Sequence, residues 1–348
     1  MNSSTQSTVL STQSRAFSST PLAHNNQTKP VILSRRRRTS DGNWSCPRLQ
    51  SDHLQFLRRC GLATLLLASI FLARPAHATG RAECHAFESQ VMHQQVPYCV
   101  LLPPSYDAEK EMTRRYPVLY FLHGLGGNEQ MFLDSGAWNL TEDLWEQHSM
   151  GEYLIVTPAG DTSFYINSHD GRRRYEDFFV QEFLPFIEHH YRIRAGRASR
   201  GIGGISMGGY GALHLAFRHP ELFASVSAHS AALVERLPAV SSAGFERNPL
   251  SRIFGGVFGS PPDRVFWEHN SPLTLAHSAH LAGLRIYFDC GSEDDYGFES
   301  GAAALHKILA ARGIPHEFHL YPGGHSWSYF AEHLPASLEF HARYLGLR

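Results

Sequence analysis

The sequence has almost no net charge. Its 31 Lys and Arg offset 32 Asp and Glu, leaving −1 over 348 residues, so no overall electrostatic pull toward nucleic acid is expected. Cysteine is scarce, with 5 residues. Cys46 and Cys60 precede the expected mature start, which leaves Cys84, Cys99 and Cys290, neither a disulfide scaffold nor a Cys/His zinc pattern. The 22 His form no His-Glu-x-x-His helix, and no metal or organic cofactor is expected. Glu293, Asp294 and Asp295 could attract a hard cation, but being consecutive they cannot all converge on one ion. A dinucleotide Gly-x-Gly-x-x-Gly is also missing, because the third glycine position counted from Gly201 and Gly203 is Ser206. The apolar run from Gly61 to Ala73 is bounded by Arg59 and Arg74, too short to cross a bilayer. There is no internal repeat.

What is present begins with a leader. Residues 1–53 are rich in Ser, Thr, Gln and Asn and read as disordered, with Arg35 to Arg38 a basic run in a solvated tail. Residues 54–78 have the order of an export signal: Arg58-Arg59, the apolar run, then Ala76-His77-Ala78 as a small-x-small cleavage site. Such a signal should open a chain. Either the true start lies near Leu54, or the acid-poor leader is an organelle transit peptide with a second signal behind it. The first case predicts a secreted or periplasmic protein; an organelle or the cytoplasm is the alternative.

From residue 79 to 348 hydrophobic content and alternation predict one folded domain. Cys84 to Val91 and Val96 to Leu102 read as a hairpin turning near His93-Gln94-Gln95. A Cys84–Cys99 disulfide is disfavoured, because that turn pairs Cys99 with Ser89 or Gln90. Tyr116 to Leu122, Tyr153 to Pro158, Gly201 to Ile205, Phe223 to His229, Leu284 to Cys290 and His316 to Tyr321 read as further strands, several of them continuously apolar as in a sheet buried on both faces. Between them lie helices at Thr141 to Met150, Arg174 to Tyr191, Ala212 to Arg218 and Gly301 to Ala311, with Trp327 to Tyr344 closing. Tyr175, Phe178, Phe179, Phe183 and Ile187 fall at helical spacing and read as core. From Ser230 to His280 alternation lapses, as for a small insertion over the site. The sum is an α/β fold with a mostly parallel sheet covered by helices on both faces.

The informative stretch is Gly204-Ile205-Ser206-Met207-Gly208. Between a strand and a helix, a Gly-x-Ser-x-Gly pentapeptide forms a tight strained turn that exposes the serine hydroxyl at the helix N-terminus. A serine becomes nucleophilic when a base takes its proton and an acid orients that base. In this arrangement acid and base follow in the order Ser, Asp or Glu, His. His325, in the loop after the last strand, is the base. Asp289, Glu293, Asp294 and Asp295 compete for the acid. Asp289 is still on its strand, Asp294 lies in the loop, and Asp295 is the runner-up. The developing oxyanion needs N–H donors; Met207, directly after the serine, and Leu125, in the Gly-rich loop of His123-Gly124-Leu125-Gly126-Gly127, are chosen.

These motifs resemble the putative-esterase family of α/β-hydrolases, which includes S-formylglutathione hydrolases, feruloyl esterases and mycolyltransferases. The resemblance runs from about Phe87 to the C-terminus. It is carried by Leu122 to Gly127, Gly204 to Ala212, Gly291-Ser292-Glu293-Asp294 and Gly324-His325-Ser326-Trp327. It implies an α/β-hydrolase fold, Asp294 as the acid, Leu125 and Met207 as the oxyanion donors, and a substrate region around Phe164 to Ser168. Gly124, Tyr165, Asn167 and Trp327 are the expected substrate contacts. It implies a serine ester or thioester hydrolase acting on a small-molecule or carbohydrate-linked ester. An exported feruloyl- or acetyl-type esterase fits the signal better than a glutathione thioesterase does. The alternative is an acyltransferase that passes the acyl group to a sugar hydroxyl. An inactive binding scaffold is disfavoured because Ser206, Asp294 and His325 are all present.

Overall fold

The computed structural model describes residues 79–237 and 249–345. The leader and the signal-like segment lie outside them. An eight-stranded sheet runs in the order β1-β2-β4-β3-β5-β6-β7-β8. The strands are β1 (Arg81–Ser89), β2 (Gln94–Leu102), β3 (Val118–Leu122), β4 (Leu154–Pro158), β5 (Arg200–Ile205), β6 (Ser225–His229), β7 (Arg285–Gly291) and β8 (Glu317–Tyr321). β2 pairs antiparallel with both neighbours, and the remaining pairs are parallel.

The β3, β4, β5 and β6 strands are buried along their whole length, so none of them turns a face to solvent. Side chains still alternate. Val118, Tyr120 and Leu122 enter one core, while Leu119 and Phe121 enter the other. The second core is covered by α1 (Ala137–Glu146). The first is covered by the segment 175–190, called α2, whose central turn Phe179–Phe183 is a π-helix flanked by α-helix. Tyr175, Phe178, Phe179, Phe183 and Ile187 are all buried there, as their spacing predicts.

α3 (Met207–Arg218) follows β5. The expected insertion resolves, within the described residues, into three short helices: α4 (Pro249–Phe258), α5 (Arg264–Asn270) and α6 (Pro272–Ser278). Phe254 and Phe258 of α4 pack on Phe164. Tyr210 Oη, on α3, donates to the Asn270 carbonyl at 2.8 Å, which ties α5 into the helical layer. α7 (Phe298–Ala311) and α8 (Trp327–Tyr344) complete the chain.

Under α8, the inward face of β6 is polar: Ser225, Ser227 and His229 are fully buried. α8 supplies their partners. His341 bonds Ser225 Oγ at 2.7 Å and Ser227 Oγ at 2.9 Å, and Ser337 bonds His229 Nε2 at 2.7 Å.

The opening hairpin corrects one expectation. Ser89 pairs with Gln94, which sets Cys84 opposite Cys99, and the two form a disulfide. The four-residue turn 90–93 closes earlier in the chain than the sequence reading allowed.

Candidate active site

The parallel strands are laid down on both sides of β3: β4 lies on one side of it and β5 on the other. Loops at the carboxyl ends of these strands therefore splay apart and leave a crevice. Ser206 sits there, after β5, at φ 54° and ψ −116°, a sparsely populated conformation for a residue with a side chain. Backbone contact forces that turn. A Cβ on Gly208 would lie 2.0 Å from the Leu122 carbonyl oxygen, and one on Gly204 would lie 2.5 Å from Gly208. The two flanking glycines let α3 start directly against β3. The strain is held by the Ser206 N–H donating to the His229 carbonyl at 2.9 Å, and by the Ser206 carbonyl accepting from Tyr210 and Ala232.

The loops after β7 and β8 bring the other two groups to the serine. His325 Nε2 lies 2.9 Å from Ser206 Oγ, and His325 Nδ1 lies 2.7 Å from Asp294 Oδ2. Asp294 Oδ1 accepts from the Tyr296 N–H at 3.0 Å, and the Cys290 thiol donates to Oδ2 at 3.7 Å. Burial alone would raise the Asp294 pKa, but the hydrogen bond from His325 and the backbone donors outweigh it, so the group stays below the usual carboxylate range. Burial pushes the Cys290 thiol up to about 12, which keeps it a neutral donor. Asp295 Oδ2 instead accepts from the His325 backbone N–H at 3.0 Å. Asp289 is buried among structural groups: it accepts from Tyr329 Oη at 2.8 Å and lies 2.7 Å from His229 Nδ1, although that second pair is poorly aligned for a hydrogen bond.

Met207 is the first residue of α3, so its N–H has no acceptor within the helix. The Gly124-Leu125 loop lies beside the serine; a Cβ on Gly124 would come 3.4 Å from Ser206 Cβ. This loop is clamped from below. His123 Nε2 accepts from the Gly160 N–H at 2.8 Å, which makes Nδ1 the protonated nitrogen, donating to the Gly124 carbonyl at 2.8 Å. Burial lowers the His123 pKa, favouring that neutral form. Such a cluster can take a proton from a hydroxyl, hold the resulting imidazolium, and offer N–H groups to an oxyanion.

The expected substrate contacts separate. Trp327 is half-buried at the start of α8. Asn167 Oδ1 accepts from the Asp177 N–H at 3.2 Å. Tyr165 is fully buried, and its hydroxyl donates to the His123 carbonyl at 3.0 Å. It supports the Gly124-Leu125 loop from beneath and presents no side-chain surface. Phe164 and Tyr165 both have positive φ, 53° and 59°, a strained pair invisible to sequence periodicity. The loop they sit on also walls a cavity of about 360 Å³ facing α4, lined by Ser163, Ile166, Arg173 and Val257 among others, while Ser206 and His325 do not line it.

One feature escaped the sequence reading: the imidazole of His325 is ringed by Tyr296, Phe298 and Phe330, all nearly edge-on at 4.8 to 5.5 Å. The aromatic spacing around Asp294, with Tyr296 and Phe298 two and four residues on, was its only sequence signal.

Comparison with known proteins agrees with this geometry. The family model described as "Putative esterase" matches residues 89–341. Esterase Rv1288 of Mycobacterium tuberculosis (strain ATCC 25618 / H37Rv) is 33% identical over 244 residues, covering 65% of this chain and 51% of that protein; the chain thus spans about half the length of this relative. S-formylglutathione hydrolase of Mus musculus is 26% identical over 276 residues, covering 71% of this chain and 88% of that protein. Among solved structures, a ferulic acid esterase superposes with a TM-score of 0.66 at 29% identity, covering 77% of this chain and 99% of that one. An α/β-hydrolase sheet, a strained serine after β5 and a family match over most of the described domain lead to one conclusion: the chain belongs to the putative-esterase family.

Proposed function

We propose that the protein is a serine carboxylic-ester hydrolase. The observation that carries this reading is the Ser206–His325–Asp294 alignment, 2.9 and 2.7 Å at successive links. His325 Nε2 takes the Ser206 proton as Oγ attacks the ester carbonyl. Asp294 keeps Nδ1 protonated and stabilises the imidazolium, while the N–H groups of Met207 and Leu125 hold the oxyanion. His325 then gives its proton to the departing alcohol oxygen, leaving an acyl group on Ser206. A water, deprotonated by the same imidazole, releases the acid and restores the serine. Nucleophile, base, acid and oxyanion donors all come from the chain, so no step calls for a metal or organic cofactor.

Export favours an extracellular feruloyl- or acetyl-type substrate. The Cys84–Cys99 disulfide supports it, because such bonds persist in oxidising compartments, and so does the signal-like order of residues 54–78. Among the described residues no helix is long and apolar enough to cross a membrane. The test is a panel of feruloyl esters, acetylated xylan, p-nitrophenyl esters and S-formylglutathione, each with and without a sugar acceptor. Turnover of oxygen esters with water as acceptor is the expected result. Preferential transfer to the sugar would make the protein an acyltransferase; activity confined to S-formylglutathione would refute the exported-esterase reading.

A further inference from the structure

The three rings around His325 are not equivalent. Phe330 is buried and Phe298 is half-buried. Tyr296 is 58% exposed, yet its ring meets the imidazole at 4.8 Å with the planes 88° apart. Large hydrophobic side chains this open are few among the described residues: Met112, Val265 and Leu320 are the others, on the turn before β3, on α5 and on the edge strand β8. Only Tyr296 in this group touches a member of the Ser206–His325–Asp294 cluster.

Its exposure is not looseness. One face of the ring stacks on Phe298 at 5.5 Å, with the planes 21° apart, and its backbone N–H is fixed by Asp294 Oδ1. The site thus holds an aromatic surface, fixed by Phe298 and Asp294, that is open to solvent. Ordering such a ring without covering it forgoes apolar burial, and a ligand that stacks there would recover it.

The direction of proton transfer says which half of a substrate that would be. His325 Nε2 hands its proton to the departing alcohol oxygen, so the alcohol half lies against the His325 ring. The acyl carbonyl lies toward the N–H groups of Met207 and Leu125. A ring packed on His325 is therefore within reach of the alcohol half. Methanol or another short alcohol ends before it gets there, whereas a sugar ring linked through one hydroxyl is wide enough and offers a flat face of C–H groups.

We propose that Tyr296 is the specificity-determining residue for the alcohol half of the substrate, stacking on the ring of a carbohydrate whose hydroxyl is esterified. This rests on the serine-esterase reading above. Chemical steps are unchanged; Tyr296 adds binding that acts only when the leaving alcohol carries a ring.

The experiment compares Tyr296→Ala, Tyr296→Leu and Tyr296→Phe on two esters of one acid, a methyl ester and an ester at the 6-hydroxyl of methyl glucoside. Tyr296→Ala and Tyr296→Leu are expected to lower the ratio of kcat/KM on the sugar ester to that on the methyl ester roughly tenfold, the size of a lost aromatic contact. Tyr296→Phe should keep both activities, because stacking needs the ring and not the hydroxyl. Equal losses on both esters would overturn the proposal and make Tyr296 a support for His325; no loss on the sugar ester would overturn it too. If the unmodified protein hydrolyses neither ester, the esterase reading fails and the proposal falls with it, an outcome distinct from either pattern in the variants.

Discussion

Asp294→Asn should disable the site while leaving it in place, for a reason the hydrogen bonds make specific. Asp294 Oδ1 accepts from the backbone N–H groups of Tyr296 at 3.0 Å and, more weakly, Phe298 at 3.5 Å. Both are donors, so the amide of an asparagine must turn its oxygen toward them. Its NH2 then faces His325 Nδ1, where a carboxylate oxygen now lies 2.7 Å away. Nδ1 is forced to accept, the imidazole proton moves to Nε2, and Nε2 meets Ser206 Oγ as a donor. It can no longer take the hydroxyl proton. A triad acid replaced this way costs about 10⁴-fold in turnover, or about 5 kcal/mol of barrier. Asp295→Asn is the control, since Asp295 touches His325 only through its backbone N–H, and it should cost less than about tenfold. The assay is steady-state hydrolysis of a simple aryl ester, with circular dichroism to confirm an intact fold. A larger loss from Asp295→Asn, or a fully active Asp294→Asn, would refute the assignment of the acid.

Two further outcomes concern stability. His341 is fully buried, and burial first, then the nearness of His229 and Arg343, pushes its pKa from 6.5 down to about 3. Its folded pKa lies below the unfolded one, so the unfolded chain binds the extra proton as pH falls; the stability contribution is complete above about 6.5, declines on acidification and levels off near 3. From pH 6.5 to 5 this one group should remove about 2 kcal/mol, and urea unfolding of His341→Asn should show a correspondingly shallower pH dependence; equal slopes in both proteins would contradict it. Replacing Cys84 and Cys99 by serine reopens a loop of sequence separation 15 and should cost about 3 kcal/mol. It should leave ester turnover unchanged, because β1 lies at the sheet edge away from Ser206. Unaltered stability would mean that the hairpin is held by other contacts.

The sheet was legible because β3 to β6 are buried on both faces: β3 and β4 read as nearly continuous apolar runs, and β5 and β6 as small and apolar residues apart from Arg200 and His229. The meeting of Ser206 and His325 at 2.9 Å was legible because the Gly-x-Ser-x-Gly turn and the loop after the last strand stand at fixed places in the chain. The hairpin register was not, and the reason is physical. Its turn carries no Gly, Pro or Asn; it is held by Glu182, far along the chain on α2, which accepts from the N–H groups of Gln90 and Val91, while Ser89 Oγ accepts from Met92. No local signal marks a turn stabilised from a distance. The residues around Tyr165 misled in the opposite way. Their likeness to a substrate region was read as contact, whereas burial beneath His123 makes the Tyr165 side chain a support. Helices α4 to α6 are only 10, 7 and 7 residues long, too short for each to stand out from the turns between them.

The most direct measurement is mass-spectrometric peptide mapping after reaction with a fluorophosphonate probe, run beside Ser206→Ala. A single adduct on Ser206, with the variant unlabelled and its ester turnover reduced by several orders of magnitude, is the predicted result. An adduct on another serine, or undiminished turnover in Ser206→Ala, would contradict the assignment of Ser206 as the nucleophile.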